Sequence, residues 1–577
     1  MAQQRLAALL ALALAVGATT RPPAGRFRAR GLALVDLCVV GGGPVGVRAA
    51  VNAAQRGLST VLIDAPQFSG VLADDDGEDL SLGGPTGLFS KALRDISHRL
   101  NVESLRGMGL NDRTIFQELR ILATTAASVS ARDARYQLST AGVDLVSGFA
   151  TLGADSGTGE VEVEVREGPG ASAINAVRAR KVLLATGSTP YLPSSIPFDG
   201  YRVFDSDTIN GLTFLPRSVV ITGSGIIALE YAKIFRNLGA SVTLVVRDRV
   251  PMRALRKIGL DKDVAACVLT DLIRAGVTVV RGAEAVGFDV PESLDQSVTV
   301  TLKPVKGGAA LETTSLKADI YMAAVGRTPN TGFLKRNAAG VDLDEYGCIV
   351  VDTQLETTRH GVFAAGDVVG RPSLASTGVA QGTAAVSAMF DSDGADGGGG
   401  YDPDAAKRSR GLPRLATGAN YDPMSLNADA FAYPVGIWSS PEIAYFGLTL
   451  EQAAARGVAK PAESIALYKE CLRGCVFAPQ GLLKLVYDGD SGRIYGVHIV
   501  GDDACELVHY GMELVRAERT VGDVLRSTYS AVTFHELYQI AAGAALDPAA
   551  ARKRRRLVGA AERAGTKRVS PGGAAKK

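Results

Sequence analysis

The fold is decided by residues 37–46, which read Leu-Cys-Val-Val-Gly-Gly-Gly-Pro-Val-Gly. An apolar run that meets a glycine cluster and continues with helical apolar spacing predicts a strand, a tight turn and a helix. A second β-rich run follows and ends at Asp64. In such a strand–helix–strand unit Gly41 permits the turn, Gly43 lets a phosphate approach the backbone, and Gly46 lets the helix lie close to the strand.

The two ends of this unit indicate which ligand it serves. The N-terminus of the helix offers amide N–H groups and the positive end of the helix dipole, and both favour phosphate groups. A carboxylate such as Asp64 at the end of the second strand accepts hydrogen bonds from ribose hydroxyls. The unit therefore predicts a dinucleotide site with contacts from Gly41, Gly43, Gly46 and Asp64.

A second unit of the same kind occupies residues 218–246. Its glycine fingerprint spans residues 223–228, and we expect Gly223, Gly225 and Ala228 to take the three structural positions. Continuous apolar strands that alternate with helices are typical of parallel sheets covered on both faces. The sequence therefore predicts an α/β fold with two dinucleotide sites.

The second unit differs from the first at the end of its second strand. Arg247 stands there in place of an acid, and Arg249, Arg253 and Arg256 follow it. A guanidinium is planar and pairs well with phosphate oxygens. Arg247 and Arg253 are therefore predicted to contact the 2′-phosphate of NADP, at a site that takes NADP alone or alongside NAD.

Charge and composition exclude several classes of partner. The first 35 and last 27 of the 577 residues carry 15 of the 62 basic residues and one of the 60 acidic ones, so the remainder has a net charge of −12. Binding of duplex nucleic acid needs clustered positive charge, so we expect no nucleic-acid partner. The longest apolar run, Leu6–Ala18, has 13 residues, fewer than the roughly 18 that a membrane span needs. The six cysteines have no zinc-type spacing, so we expect no metal site.

Three segments are set apart by their composition. Residues 1–34 are basic, partly apolar and free of acids, which is typical of a leader for a mitochondrion or plastid; the alternative is an uncleaved extension of a cytoplasmic protein. Residues 391–430 predict a flexible insertion, and residues 549–577 a disordered basic tail. Between these two, β-rich runs at 482–500 and later helical windows predict an α+β domain over 431–548.

Four motifs occur in an order that carries a resemblance. They are residues 41–46, Ala185-Thr186-Gly187, residues 326–330 and Ala365-Gly366-Asp367. With them the chain resembles the two-dinucleotide flavoprotein disulfide reductase family over most of its length. The resemblance implies further cofactor contacts at Thr186, Gly187, Gly326, Gly366 and Asp367, the last beside the ribityl–pyrophosphate part of FAD.

The same resemblance implies a domain plan. FAD would lie in a Rossmann-like domain formed by residues 35–190 and 328–390. An NAD(P)-binding Rossmann-like domain, residues 191–327, would be inserted within it. The α+β domain at residues 431–548 would be a dimerisation domain, through which two chains form a homodimer.

The resemblance also implies two catalytic residues, which are cofactor contacts as well. Lys91 and Glu230 match positions that form an ion pair beside the flavin N5 in the family. A positive charge at that point stabilises an electron-rich reduced flavin, which is a tuning role that belongs to the protein.

The chain departs from the family at the residues that handle thiols. Alignment on Ser90 and Lys91 puts the two redox cysteines of the family at Leu82 and Gly87, neither of which can be oxidised. The histidine that serves the family as thiol base falls at Ala531. Glu536 is retained, and for the neighbouring His535 a packing role is favoured over that of a displaced base.

The redox cysteines and the thiol base are both missing, which indicates a reaction that uses the flavin without a redox disulfide. The chain resembles the branch of soluble, Si-specific pyridine nucleotide transhydrogenases, for example through residues 204–207 and 230–236. This resemblance implies hydride exchange between NADPH and NAD through FAD, with no redox disulfide. The alternatives are a dihydrolipoamide dehydrogenase-like reductase or diaphorase, and a non-catalytic flavin-binding or regulatory subunit.

Overall fold

The computed structural model describes residues 34–65, 82–100, 102–154, 157, 159–168, 171–293, 295–305, 314–334, 340–370, 373–391 and 433–547. The predicted leader, flexible insertion and basic tail lie outside these residues, apart from Leu34 and Asp391. Within the described ranges, every helix is too short or too polar to cross a lipid bilayer.

The described part of residues 34–190 begins with the first predicted unit. Its strands and helices are β1 Leu34–Val40, α1 Pro44–Gln55, β2 Thr60–Asp64, α2 Pro85–Arg99, α3 Val102–Gly107, α4 Asp112–Ala141, β3 Asp144–Ser147, β4 Phe149–Leu152, β5 Val161–Arg166, β6 Ala173–Leu184 and β7 Ser188–Pro190.

The described part of residues 203–329 contains the second predicted unit. Its elements are β8 Val203–Phe204, β9 Ser218–Thr222, α5 Ile226–Asn237, β10 Ser241–Val246, α6 Pro251–Lys257, α7 Lys262–Arg274, β11 Thr278–Arg281, β12 Ala283–Asp289, β13 Val298–Pro304, β14 Thr314–Ala318, β15 Ile320–Ala323 and β16 Arg327–Pro329.

The rest of the described chain falls into two stretches. The first contains β17 Val362–Ala364 and α8 Ala375–Phe390. The second contains β18 Val435–Ile437, β19 Ile443–Gly447, α9 Leu450–Ala455, β20 Pro461–Leu467, α10 Leu472–Phe477, β21 Leu482–Asp488, β22 Ile494–Val500, α11 Ala504–Arg516, α12 Val521–Arg526 and α13 Glu536–Leu546.

The first sheet has the strand order β3-β2-β1-β6-β5-β4, with β17 paired to β6. Strands β3, β2, β1, β6 and β17 are parallel, as predicted, whereas β4, β5 and β6 pair antiparallel. The sheet is therefore mixed, not purely parallel. Strand β5 alternates fully buried with partly exposed residues, the pattern of a sheet covered on one face.

The chain leaves this first sheet after β6 and returns to it at β17. Helix α8 then packs on α1, where a Cβ on Gly378 would lie 2.6 Å from Cγ2 of Val45 and one on Gly382 would lie 3.1 Å from its Cγ1. The absence of side chains at these two positions lets the helices approach closely. The first domain is thus completed by a segment that follows the second unit in sequence.

The second sheet is parallel throughout, in the order β11-β10-β9-β15-β8, and β12, β13 and β14 form a separate antiparallel sheet. Strands β7 and β16 pair antiparallel where the chain passes between the two domains. The C-terminal sheet is antiparallel, in the order β18-β19-β22-β21-β20, and carries α11 and α13. These sheets confirm the predicted fold class, while the domain boundaries stay predictions.

A buried cluster of charges joins the second domain to the C-terminal sheet. Lys484 on β21 is fully buried, and its Nζ lies 2.8 Å from Oδ1 of Asp261 and 2.8 Å from Oε2 of Glu463. Asp263 is the third carboxylate around this ammonium. Burial alone would lower the pKa of Lys484, but the three carboxylates outweigh burial and raise that pKa, so Lys484 stays charged. The ammonium thus stands among carboxylates that are close enough together to hold a metal ion.

Candidate functional site

The first glycine fingerprint forms an open cradle at the N-terminus of α1. Gly41 has φ +111°, and a Cβ on it would lie 2.3 Å from the carbonyl oxygen of Ala185. A Cβ on Gly46 would lie 1.9 Å from the carbonyl oxygen of Gly41. A Cβ on Gly43, in contrast, would meet no heavy atom of the described residues within 4 Å. Gly43 is the N-cap of α1 and makes no side-chain cap, so the helix N-terminus faces this space and fits a pyrophosphate.

Asp64 lies at the same cradle. Its Oδ1 accepts a hydrogen bond from the Gly42 N–H at 2.7 Å. A Cβ on Gly42 would lie 2.5 Å from Cγ of Asp64 and 2.7 Å from Cδ2 of Leu82. Gly42, which the sequence reasoning did not single out, is therefore required for close packing at this turn. The role of Asp64 in binding a ribose stays a prediction.

The motif at residues 365–367 also approaches this cradle. Gly366 begins a 3₁₀ helix, and a Cβ on it would lie 2.9 Å from Cγ2 of Val45, the second residue of α1. Asp367 accepts a hydrogen bond from the Ser188 hydroxyl at 2.6 Å. The structure therefore brings Asp367 and the start of β7 together beside α1.

Thr186 and Gly187 lie where the chain turns from β6 into β7. The Thr186 hydroxyl donates to the carbonyl oxygen of Asn330 at 2.8 Å, and the Asn330 side-chain amide donates to the carbonyl oxygen of Thr186 at 2.9 Å. These bonds join the segment after β6 to the segment after β16, where the chain passes between the two domains. Contacts of Thr186 and Gly187 with FAD stay predictions.

The second fingerprint repeats the design of the first. Gly223 has φ +139°, and a Cβ on it would lie 2.2 Å from the carbonyl oxygen of Ala324. Ala228 is fully buried at the third position. Among the part of the chain that the structure describes, nothing lies within 4 Å of a Cβ on Gly225, which is the N-cap of α5 and has no side-chain cap. Gly326 follows β15 on the adjacent loop, with its Cβ position 3.9 Å from Tyr191. The second cradle also fits a dinucleotide pyrophosphate.

The predicted arginines lie beyond the end of β10. Arg247 is 82% exposed, and its Nε lies 3.4 Å from the carboxylate of Glu284 at the start of β12. Arg253 is exposed on α6. Glu284 gave no signal in the sequence, because it belongs to the next β-unit. Recognition of a 2′-phosphate by Arg247 and Arg253 stays a prediction.

Lys91 and Glu230 form the ion pair that the resemblance implied. The Lys91 Nζ lies 2.9 Å from Oε1 and 2.8 Å from Oε2 of Glu230, whose side chain is 4% exposed. The Trp438 N–H also donates to Oε1 of Glu230 at 3.1 Å. The pair thus joins α2 of the first domain, α5 of the second and the C-terminal domain. Sequence reasoning missed Trp438, because a backbone donor leaves no signature in side-chain identity.

The two positions that align with redox cysteines hold no sulfur and differ in environment. Leu82 is 3% exposed and packs beside Gly42, whereas Gly87 is exposed on α2. The whole sequence has no cysteine between Cys38 and Cys267. Burial raises the pKa of Cys38 to about 12 and that of Cys267 to about 11, so both stay protonated thiols near neutral pH.

The aligned position of the thiol base lies before α13. Ala531 is exposed there. His535 is the N-cap residue of α13, and its ring packs edge-on against Tyr510 with 5.9 Å between ring centroids. Burial lowers the pKa of His535. These contacts agree with the packing role expected for His535.

Comparisons with known proteins match this geometry. A family model described as pyridine nucleotide-disulphide oxidoreductase matches residues 35–382, and the dimerisation domain of the same family matches residues 433–542. A curated relative, the soluble pyridine nucleotide transhydrogenase of Colwellia psychrerythraea, is 30% identical over 88% of this chain and 97% of its own length. The proteins of that name from Pseudomonas putida and Mycobacterium tuberculosis are each 29% identical, over 88% of this chain and 97% and 96% of their own lengths.

Solved structures share the fold. The HOCl-induced flavoprotein disulfide reductase RclA from Escherichia coli, as a Cu(II) complex, has a TM-score of 0.68 and 19% identity, over 89% of this chain and 99% of its own. LpdA from Mycobacterium tuberculosis has a TM-score of 0.68 and 22% identity, over 88% and 99%. One family model spans more than half of the chain, and both fingerprints form open cradles that fit a dinucleotide. The chain therefore belongs to the pyridine nucleotide-disulphide oxidoreductase family, as an oxidoreductase that uses FAD and a nicotinamide dinucleotide.

Proposed function

We propose that this enzyme is an NAD(P) transhydrogenase of the Si-specific type, which exchanges a hydride between NADPH and NAD without a redox disulfide. The observation that carries the proposal is the Lys91–Glu230 pair, which forms in a chain with no cysteine between Cys38 and Cys267. The names of the relatives that match over nearly their whole length support it. When bound, FAD supplies a ring that accepts a hydride from one nicotinamide and returns it to another.

The residues of the chain have defined tasks in this proposal. The open spaces at Gly43 and Gly225 hold the pyrophosphates of FAD and of the nicotinamide dinucleotide. Lys91 supplies a positive charge whose position is fixed by Glu230. Hydride exchange between two nicotinamides forms no thiol, so no thiol base is needed and Ala531 is tolerated.

Reduction of thio-NAD by NADPH tests the proposal. We expect the wild type to turn over and NADPH to bleach its flavin absorbance, while Lys91→Ala and Glu230→Ala lower kcat by about a hundredfold, because each removes a fixed charge from the reacting centre. Arg99→Gln, on the exposed face of the same helix, is the matched control and should keep the wild-type rate. Equal, near-zero rates in all four proteins would favour the non-catalytic subunit. Dihydrolipoamide turnover at ordinary rates would favour the disulfide-reductase alternative.

We propose further that Arg247 gives the second site its affinity for NADP. Arg247→Ala should raise the KM for NADPH by about tenfold, since it removes a charge-assisted bond to the 2′-phosphate at an exposed site, and should change the KM for NADH by less than about twofold. Arg178→Ala is the matched control, because Arg178 is also exposed and pairs with a carboxylate, Glu160, at the same 3.4 Å. An equal rise in both KM values would contradict 2′-phosphate recognition.

We also propose that two chains form a homodimer through the C-terminal domain, supported by the match of residues 433–542 to a dimerisation domain. A monomeric mass in sedimentation equilibrium would overturn this.

The organelle location remains our proposal from residues 1–34. Sequencing the N-terminus of the mature protein tests it, and an intact Met1 would favour the cytoplasmic alternative.

A further inference from the structure

Arg94 lies one helical turn after Lys91 on α2 and is 8% exposed. Its Nε and Nη2 donate to the carbonyl oxygen of Ser439 at 3.1 and 2.8 Å, and Nη2 also donates to Oε1 of Glu442 at 3.0 Å. The guanidinium lies over the Trp438 ring, with 5.6 Å from Cζ to the ring centroid. A single buried side chain of the first domain thus holds residues 438–442 of the C-terminal domain by contacts with three of their residues.

The loop at residues 438–442 is the segment that reaches Glu230. The Trp438 N–H donates to Oε1 of Glu230 at 3.1 Å, while the neighbouring carbonyl, that of Ser439, accepts from Arg94. At the far end of the loop, Oε2 of Glu442 accepts from the N–H of Cys505 at 3.1 Å, which fixes Glu442 to α11. Two sets of contacts therefore fix the loop that carries the Trp438 N–H: those of Arg94 with Ser439, and that of Glu442 with α11.

We propose that Arg94 is a positioning residue for the Lys91–Glu230 pair. By fixing the Ser439 carbonyl, it aims the Trp438 N–H at Glu230, so that the carboxylate divides its charge between this amide and Lys91. Without that amide, the carboxylate bonds to Lys91 alone and draws the ammonium closer. The positive potential that Lys91 produces at the bound flavin then decreases, because a tighter ion pair has a weaker external field. This inference rests on the proposed function, in which Lys91 acts on the bound flavin.

Arg94→Lys and Arg94→Gln test this inference in the full-length holoenzyme. Lysine keeps the charge but cannot reach Ser439 and Glu442 together, because it lacks the planar fork of donors. We expect both variants to retain FAD, to keep the KM values for NADPH and thio-NAD within about twofold, and to lose kcat by about tenfold, the scale of a small misplacement at a reacting centre. The flavin midpoint potential should become more negative in both, since the reduced ring is stabilised less.

Glu442→Gln is the milder third variant, because it keeps the size of the side chain that binds Arg94. It should shift the potential in the same direction but less. Arg99→Gln serves as the control for a lost arginine on the same helix. A wild-type potential and kcat in Arg94→Lys would overturn the proposal, since only the charge of Arg94 would then matter. Raised KM values with unchanged kcat would overturn it as well.

The potential and the rate separate this inference from the proposed function. If the wild type fails to reduce thio-NAD, the proposed function is lost, yet a shifted potential in the Arg94 variants still supports the positioning role. If the wild type transfers hydride and the Arg94 variants match it in both readouts, the positioning role alone is lost.

Discussion

A Gly225→Val variant is expected to fold and keep its FAD, while the KM values for NADPH and NADH rise by about a hundredfold. Gly225 has φ −81° and ψ −178°, which valine adopts without strain, and its Cβ position meets no atom of the described ranges within 4 Å. The added methyl groups instead fill the space that the pyrophosphate needs and remove about two hydrogen bonds to charged oxygens, each worth ~1.5 kcal/mol or more. Steady-state kinetics and the flavin content of the purified protein measure both effects.

Substitutions at the neighbouring positions separate binding from folding. Gly43→Val should give a folded protein that lacks FAD, because its Cβ position is equally open. Gly223→Ala should instead lower the thermal midpoint, since φ is +139° and the new Cβ would lie 2.2 Å from the carbonyl oxygen of Ala324. Normal nucleotide binding by Gly225→Val would show that the second cradle is not the nicotinamide site.

Lys484→Met is expected to destabilise the protein by about 3–5 kcal/mol, because it leaves buried carboxylates without their counter-charge. Asp261 is 1% and Glu463 5% exposed, so water cannot replace the ammonium. The midpoint of urea unfolding, followed by circular dichroism, measures the loss. Lys460→Met is the control, since Lys460 pairs with Asp490 at the surface and should leave the midpoint unchanged. A midpoint unchanged in Lys484→Met would show that the cluster contributes nothing to stability.

The pH range in which Lys484 and Asp261 stabilise the wild type follows from their two pKa shifts. The pKa of Lys484 is raised, so its contribution is complete below the unfolded-state pKa of about 10.4 and is lost only as pH rises through the folded-state value. Burial alone would raise the pKa of Asp261, but its interactions with Lys484, His498 and the Asp263 N–H together outweigh burial and lower the pKa. The contribution of Asp261 is therefore present above about pH 3.9 and is lost as pH falls. The contributions of Lys484 and Asp261 to the stability of the wild type should therefore both be present across roughly pH 5–9.

The sequence predicted those parts of the molecule whose chemistry is local. Both glycine fingerprints could be recognised in the sequence, because the turn, the approach of a phosphate and the helix packing depend on residues that are a few positions apart. The antiparallel strands β4 and β5 were not predicted, because their pairing with each other and with β6 leaves no local pattern in the sequence.

Long-range contacts were out of reach for the same reason. Lys484 and Asp261 are 223 residues apart, and neither has a local pattern that points to the other. The ion pair of Lys91 and Glu230, 139 residues apart, was predicted only because a resemblance supplied it. No sequence signal indicated that Arg94 and Trp438 meet beside that pair.

The return of the chain to the first sheet has a consequence during synthesis on the ribosome. Val182 of β6 pairs with Val362 of β17, so about 180 residues must be translated between them, which takes on the order of 10–40 s at roughly 5–20 residues per second. All strands of the parallel sheet of the second domain are made in that interval. During that interval one edge of β6 in the nascent FAD-binding domain has no partner strand. The nicotinamide-binding domain is therefore the first domain whose sheet can be completed.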